Sequence, residues 1–126
     1  MIEYEIVLSK FLSQQELFKM LQNIGDCKVE IGGNDDQLYL QNKNTDETVA
    51  IIWTIEIDAN GEPGNKKEVL KEYNYYNLNP PFTPFYSYLI ECDDTNIIKI
   101  ISKTLRVFDP SALLLDDKMN KFKKLS

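Results

Sequence analysis

The run TVAIIWTIEI, from Thr48 to Ile57, constrains the fold more than any other stretch of the chain. Val49, Ile51, Trp53, Ile55 and Ile57 share one face of a strand, while Ala50, Ile52, Thr54 and Glu56 share the other. β-Branched and aromatic residues fit a pleated, covered surface, and a strand this apolar on both faces belongs at the centre of a sheet. The fold is therefore built round a sheet.

The remaining elements follow from periodicity. Ile2, Tyr4, Ile6 and Leu8 alternate with Glu3, Glu5, Val7 and Ser9, the two-residue period of a strand. Ser13 and Glu16 stand at capping-box spacing. Leu17, Leu21 and Ile24 then form the stripe of a helix from Gln14 to Ile24 that Gly25 can end. Cys27, Val29 and Ile31, then Leu38 and Leu40, alternate around Gly32-Gly33-Asn34-Asp35, which predicts a hairpin. Residues 66–73 fit a short helix and a strand equally. Phe85 to Cys92 alternates again. Ile97, Ile98, Ile101, Leu105 and Phe108 follow helical spacing, capped from Asp93, Asp94 or Thr95 and ended by Asp109-Pro110. Ala112 to Asp116 predicts a last strand.

This order predicts an α/β fold of the α+β type. The expected sheet is mixed and mostly antiparallel, with two main helices packed on one face, as a ferredoxin-like sandwich with an inserted hairpin. Strands joined through a helix are expected to run parallel. A single domain spans 1–126, with 118–126 a basic tail prone to fray.

Residues Glu72 to Glu91 hold half of the fourteen aromatic residues and three of the five prolines. Pro80, Pro81 and Pro84 have no N–H to donate and exclude a regular ladder there. Tyr73, Tyr75, Tyr76, Phe82, Phe85, Tyr86 and Tyr88 cannot all point inward from such a segment. It reads either as a lid over one end of the sheet or as a binding surface, where tyrosine offers large contact area and a polar tip.

Charge is uneven along the chain. Residues 1–65 carry twelve acids against four lysines, and 66–126 carry eight acids against ten bases, for a net charge of −6. An anionic half repels a phosphate backbone and speeds encounter with a basic protein. The only basic cluster is Lys118, Lys121, Lys123 and Lys124. If the apolar strand faces turn to the helices, Glu3, Glu5, Lys28, Glu30, Tyr39, Ile52, Thr54 and Glu56 line the opposite, acidic side.

Chemistry is narrowed mainly by what the chain lacks. It contains no histidine, which removes histidine-based triads, dyads and metal sites. Of the adjacent acid pairs Asp35-Asp36, Asp93-Asp94 and Asp116-Asp117, the first reads as a turn and the second as a helix cap, and adjacent acids on a strand point to opposite faces rather than converging on a cation. Asp58, Asn60 and Glu62 resemble the start of a calcium loop, but glycine falls at the fourth position and Val69 at the twelfth. Cys27 and Cys92 read as buried free thiols, and no phosphate-binding glycine motif or hydrolase elbow is present. No catalytic residue, metal or cofactor is expected.

These features favour a non-catalytic acidic protein-binding domain. Its partner is expected to be a basic protein such as a toxin or nuclease, in the manner of a bacterial immunity or inhibitor protein, with no nucleic-acid or membrane ligand. The contact residues expected are Tyr73, Tyr75, Tyr76, Phe82, Phe85 and Tyr86 of the aromatic segment, with Glu3, Glu5, Glu30 and Glu56. Glu3 and Glu5 stand where a secretory leader would carry lysine or arginine, so the expected setting is cytoplasmic. The competing reading is a small-ligand or enzymatic domain with a pocket under Pro80 to Pro84, using tyrosines and Glu91. A third is a homodimer that buries the sheet face against itself.

Overall fold

Hydrophobic alternation sets strand β1 (Ile2–Leu8), whose Ile6, Val7 and Leu8 are all buried, so both of its faces are covered at that end. The computed structural model describes residues 1–22, 24–116 and 121–125. After β1 come helix α1 (Gln14–Leu21), strands β2 (Cys27–Gly32), β3 (Gln37–Asn42) and β4 (Thr48–Trp53), and helix α2 (Lys66–Tyr75). Strand β5 (Tyr86–Cys92), helix α3 (Thr95–Phe108) and strands β6 (Leu113–Asp116) and β7 (Lys121–Lys124) complete the chain.

The strands form one sheet in the order β2-β3-β4-β5-β1-β6-β7. Every adjacent pair is antiparallel. The mixed sheet expected from the sequence is therefore corrected to a wholly antiparallel one. Both helical crossovers skip over strands: β5 and β6 flank β1, and β1 and β2 lie at separate places in the order. Strands joined through α1 or α3 thus share a direction without being neighbours, whereas β4 and β5, joined through α2, are antiparallel neighbours.

Ser13 caps α1 as a true capping box, its hydroxyl accepting from the Glu16 N–H at 3.2 Å while the Glu16 carboxylate accepts from the Ser13 N–H. The helix ends at Leu21, three residues short of the expected Ile24, and Gly25 adopts φ +48 in the turn that follows. Asp94 caps α3 through the Asn96 N–H at 2.8 Å. Residues 66–75 resolve as helix rather than strand.

Leu17 and Leu21 of α1 and Ile98, Ile101 and Leu105 of α3 join one core cluster with Ile6, Leu8, Leu38, Leu40, Ile52 and Ile90. A second, smaller cluster unites Val7 and Leu115 with Tyr73 of α2 and Leu78. Successive strand residues point to opposite faces, so Val7 and its neighbours Ile6 and Leu8 place α2 across the sheet from α1 and α3. The tail is corrected as well. Phe122 pairs with Leu115 and sets its ring edge-on to Tyr73, and Leu125 is buried, so 121–125 are part of the fold. Asp117 and Lys118 lie outside the described residues.

Strand β4 differs from expectation in length and phase. It ends at Trp53, with the Thr54 N–H making one more bond in the same register, to the Asp36 carbonyl at 2.9 Å. Leu38 and Leu40 of β3 lie opposite Ile52 and Ala50, and all four are buried on the side of α1 and α3. Ile51 and Trp53, not Ile52, Thr54 and Glu56, therefore face the other way. A strand apolar on both sides carries no phase of its own, and its neighbour's alternation decides.

Two buried polar groups tie the ends together. Tyr88 Oη donates to the Leu12 carbonyl and accepts from the Leu12 N–H, both at 2.9 Å. The Asp109 carboxylate, 1% exposed just past α3, accepts from the Ser9 N–H at 2.6 Å, the Ser9 hydroxyl and the Ser111 N–H at 3.0 Å. Deleting it strands these part-buried donors. Asp109→Ala should lower stability by about 1–3 kcal/mol in urea melts, and a loss below about 0.5 kcal/mol, the usual range for surface changes, would contradict this role.

Candidate functional site

Register carries one row of side chains across five strands on the face opposite α1 and α3. Glu30 of β2 lies opposite Tyr39, Tyr39 opposite Ile51, Ile51 opposite Glu91, and Glu91 opposite Glu3. At about 4.8 Å per strand the row is about 19 Å wide. Its centre is aromatic and aliphatic; its ends are acidic. The next row brings Gln37 opposite Trp53. Glu3 and Glu30 are exposed, whereas Tyr39, Ile51, Trp53, Leu89 and Glu91 are half-buried.

Two details shape this surface. A Cβ on Gly32 would fall within the Tyr39 ring, so the glycine lets that ring lie down on the sheet, where its hydroxyl donates to Gln37 Oε1 at 2.7 Å. Glu3 and Glu91 stand directly opposite each other, an arrangement of like charges that weakens a strand pair. Neither enters the ion pairs among the described residues, which join Met1 to Asp93, Lys28 to Asp46, Lys66 to Glu62 and Lys123 to Asp116.

Helix α2 covers only one side of this face. Tyr73 is its anchor: 1% exposed, it stacks on Phe85 with ring centroids 5.6 Å apart and donates its hydroxyl to Glu5. Asn65, at the start of α2, spends its side chain on the Ser87 carbonyl at 3.2 Å rather than on capping the helix. Between α2 and the open strands runs a groove of about 390 Å³, lined by Glu3, Glu5, Trp53, Glu72 and Leu89 among others. A second cleft of about 300 Å³ adjoins it beneath Thr83 to Tyr86, bordered also by Asn65, Lys66 and Val69.

The expected contact residues fall into separate places. Glu3, Glu5 and Glu30 share the open face, with Glu5 engaged by Tyr73. Glu56 does not join them, since it follows the end of β4 and its carbonyl accepts from the Gly64 N–H. Tyr73 is consumed by the core, with Phe82 and Phe85 packed on the same cluster and Tyr86 tilted against Phe11. Only Tyr75 and Tyr76, 80% and 47% exposed, present their rings outward, set edge to face at 4.9 Å. Glu91 stands on the open face and not among the residues lining the cleft under the proline loop. Ile51, Trp53, Leu89 and Glu72 were not expected at the site. The phase error in β4 hid the first two.

Reactive groups are muted. Burial pushes both the Cys27 and the Cys92 thiol above the usual cysteine range, which disfavours thiolate. No group of three or more potential ligands among the described residues could hold a metal ion. Asp58 Oδ1 accepts from the Asn60 and Glu62 N–H groups, so that loop is a turn closed on itself. Compared with known proteins, the chain matches no family model, no curated protein and no solved structure.

Desolvation, reinforced for Tyr73 by Glu5, drives the Tyr73 and Tyr88 hydroxyls well above the ordinary tyrosine value. Their contribution to stability is complete below about pH 10, where the unfolded tyrosines are also protonated, and is lost as pH rises further. In an absorbance titration at alkaline pH, two of the seven tyrosines should ionise only as the protein unfolds. Seven groups titrating together near pH 10 with the fold intact would contradict the burial of these two rings.

Proposed function

We propose that this is a non-catalytic domain that binds a basic protein through the half-covered sheet face. The observation that carries the reading is the row Glu30, Tyr39, Ile51, Glu91 and Glu3, an apolar centre between acidic ends. Protein interfaces combine an apolar, aromatic-rich core with a polar rim, and opposite charge raises the encounter rate. A lysine or arginine placed between Glu3 and Glu91 would relieve their mutual repulsion, so the partner supplies what the fold lacks. Net charge of −6 favours the same class of partner.

Within this reading the domain is a cytoplasmic inhibitor that masks a basic toxin or nuclease, as an immunity protein does. The order β4-β5-β1-β6, with α1 and α3 sharing one core cluster, supports a ferredoxin-like reading of the sandwich, with β2 and β3 as the added hairpin. A second reading rests on the 300 Å³ cleft beneath Thr83 to Tyr86, a volume at the lower end for small-ligand pockets.

The two separate by substitution. A Glu3→Lys/Glu91→Lys variant, confirmed as folded by circular dichroism, should bind a basic partner captured from the source cells at least about tenfold more slowly at low salt, with the difference shrinking as ionic strength rises. Unchanged association by the variant would remove the sheet face from the account. Binding lost instead on Tyr86→Ala would transfer the function to the cleft.

A further inference from the structure

Strand β2 ends the sheet, pairing with β3 alone among the described residues. Its backbone phase follows from one bond. The Lys43 N–H donates to the Asp26 carbonyl at 2.8 Å, which puts Asp26 and, by alternation, Lys28 and Glu30 in the hydrogen-bonded pairs with β3. The N–H and C=O groups of Val29 and Ile31 then point away from the sheet. Cys27 points the same way, although its N–H is already donated to the Ile24 carbonyl at 3.1 Å.

We propose that the occupant of this edge is a second copy of the chain, paired antiparallel through β2 about a two-fold axis at Val29. In that register Val29 meets Val29 of the second copy with reciprocal N–H to C=O bonds, and each Ile31 N–H reaches the Cys27 carbonyl opposite. Lys28 faces Glu30 of the second copy and Glu30 faces its Lys28, so the axis generates two opposite-charge pairs on the half-covered face. They fall at the non-hydrogen-bonded positions, where side chains approach most closely. On the other face, Ile31, 52% exposed, borders an apolar groove of about 320 Å³ that it shares with Phe18 of α1. The second copy covers both.

Charge pattern is what selects self-pairing over a foreign strand. Edges are commonly protected by lysine or proline, and here the single lysine is matched two residues later by an acid that the two-fold axis brings opposite it. The ion pair of Lys28 with Asp46 lies on the exposed surface and leaves the lysine able to face a second carboxylate. The inference shares Glu30 with the partner-binding face proposed above and leaves Glu3 and Glu91, at the other end of that row, open to a basic partner.

Sedimentation of the full chain from about 1 to 200 µM in 0.15 M salt tests it. The native chain should form dimers, and Lys28→Glu and Glu30→Lys should each be monomeric, since each places like charges opposite. Mixing the two single variants should restore a dimer containing one of each, because two acids on one edge then face two lysines on the other. Ile31→Pro, which removes an outward N–H at an edge position that tolerates proline, should also be monomeric. A native chain that stays monomeric throughout, a dimer that survives all three substitutions, or a mixture that fails to associate would each overturn the proposal. So would a native monomer that gains mass only on adding an unrelated extended peptide.

Discussion

Coverage is the constraint from which the rest of this structure follows. Seven strands side by side at about 4.8 Å make a sheet about 30 Å wide, and a helix with its side chains is about 10–12 Å across. Helices α1 and α3 contribute to one core cluster, and α2 alone contributes to the other. It is anchored at the β1-β6 end through Tyr73, Val7 and Leu115. The strands from β2 to β5 are left with half-buried side chains on that side. An antiparallel sheet tolerates one solvated face, but here the half-buried centre of that face is Tyr39, Ile51 and Trp53 rather than threonine or lysine.

Electrostatics gives that face its character. The acids that satisfy local structure, such as Asp94, Asp109 and Asp58, are used up in caps and turns. Those on the open face are placed differently: Glu3 faces Glu91 across a strand pair, and Glu72 adds to the groove wall beside them. The arrangement weakens the isolated fold slightly and gains from a cation brought to it. In the proposed interaction the apolar centre would supply affinity and the acidic ends direction.

Much of the scaffold was legible in the sequence because local rules and tertiary packing agree there. Ser13 and Glu16 form the capping box their spacing implies, β1 and the β2-β3 hairpin follow their alternation, and α3 runs along its apolar stripe. Reading failed where local pattern is ambiguous or where distant contacts decide. Strand β4 is apolar on both faces, and Leu38 and Leu40 settle its phase from outside. Helix α2 has a weak stripe of its own and is held by Tyr73, whose phenol looks equally suited to a surface. Residues 121–124 are lysine-rich and carry no strand signal, yet Phe122 draws them onto β6. At the site, Glu3 and Glu30 were visible from strand phase, whereas Glu91 needed the β1-β5 register to appear beside them.

Trp53 is the only tryptophan in the chain and lies in the groove between α2 and the open strands, so its fluorescence reports the local potential of this face. Quenching by caesium and by iodide, each taken relative to its quenching of free N-acetyltryptophanamide and compared at low ionic strength, tests the account most directly. An open acidic face predicts that caesium quenches at least about twice as efficiently as iodide, with the difference collapsing in high salt. Equal quenching by the two ions, or stronger quenching by iodide, would contradict it.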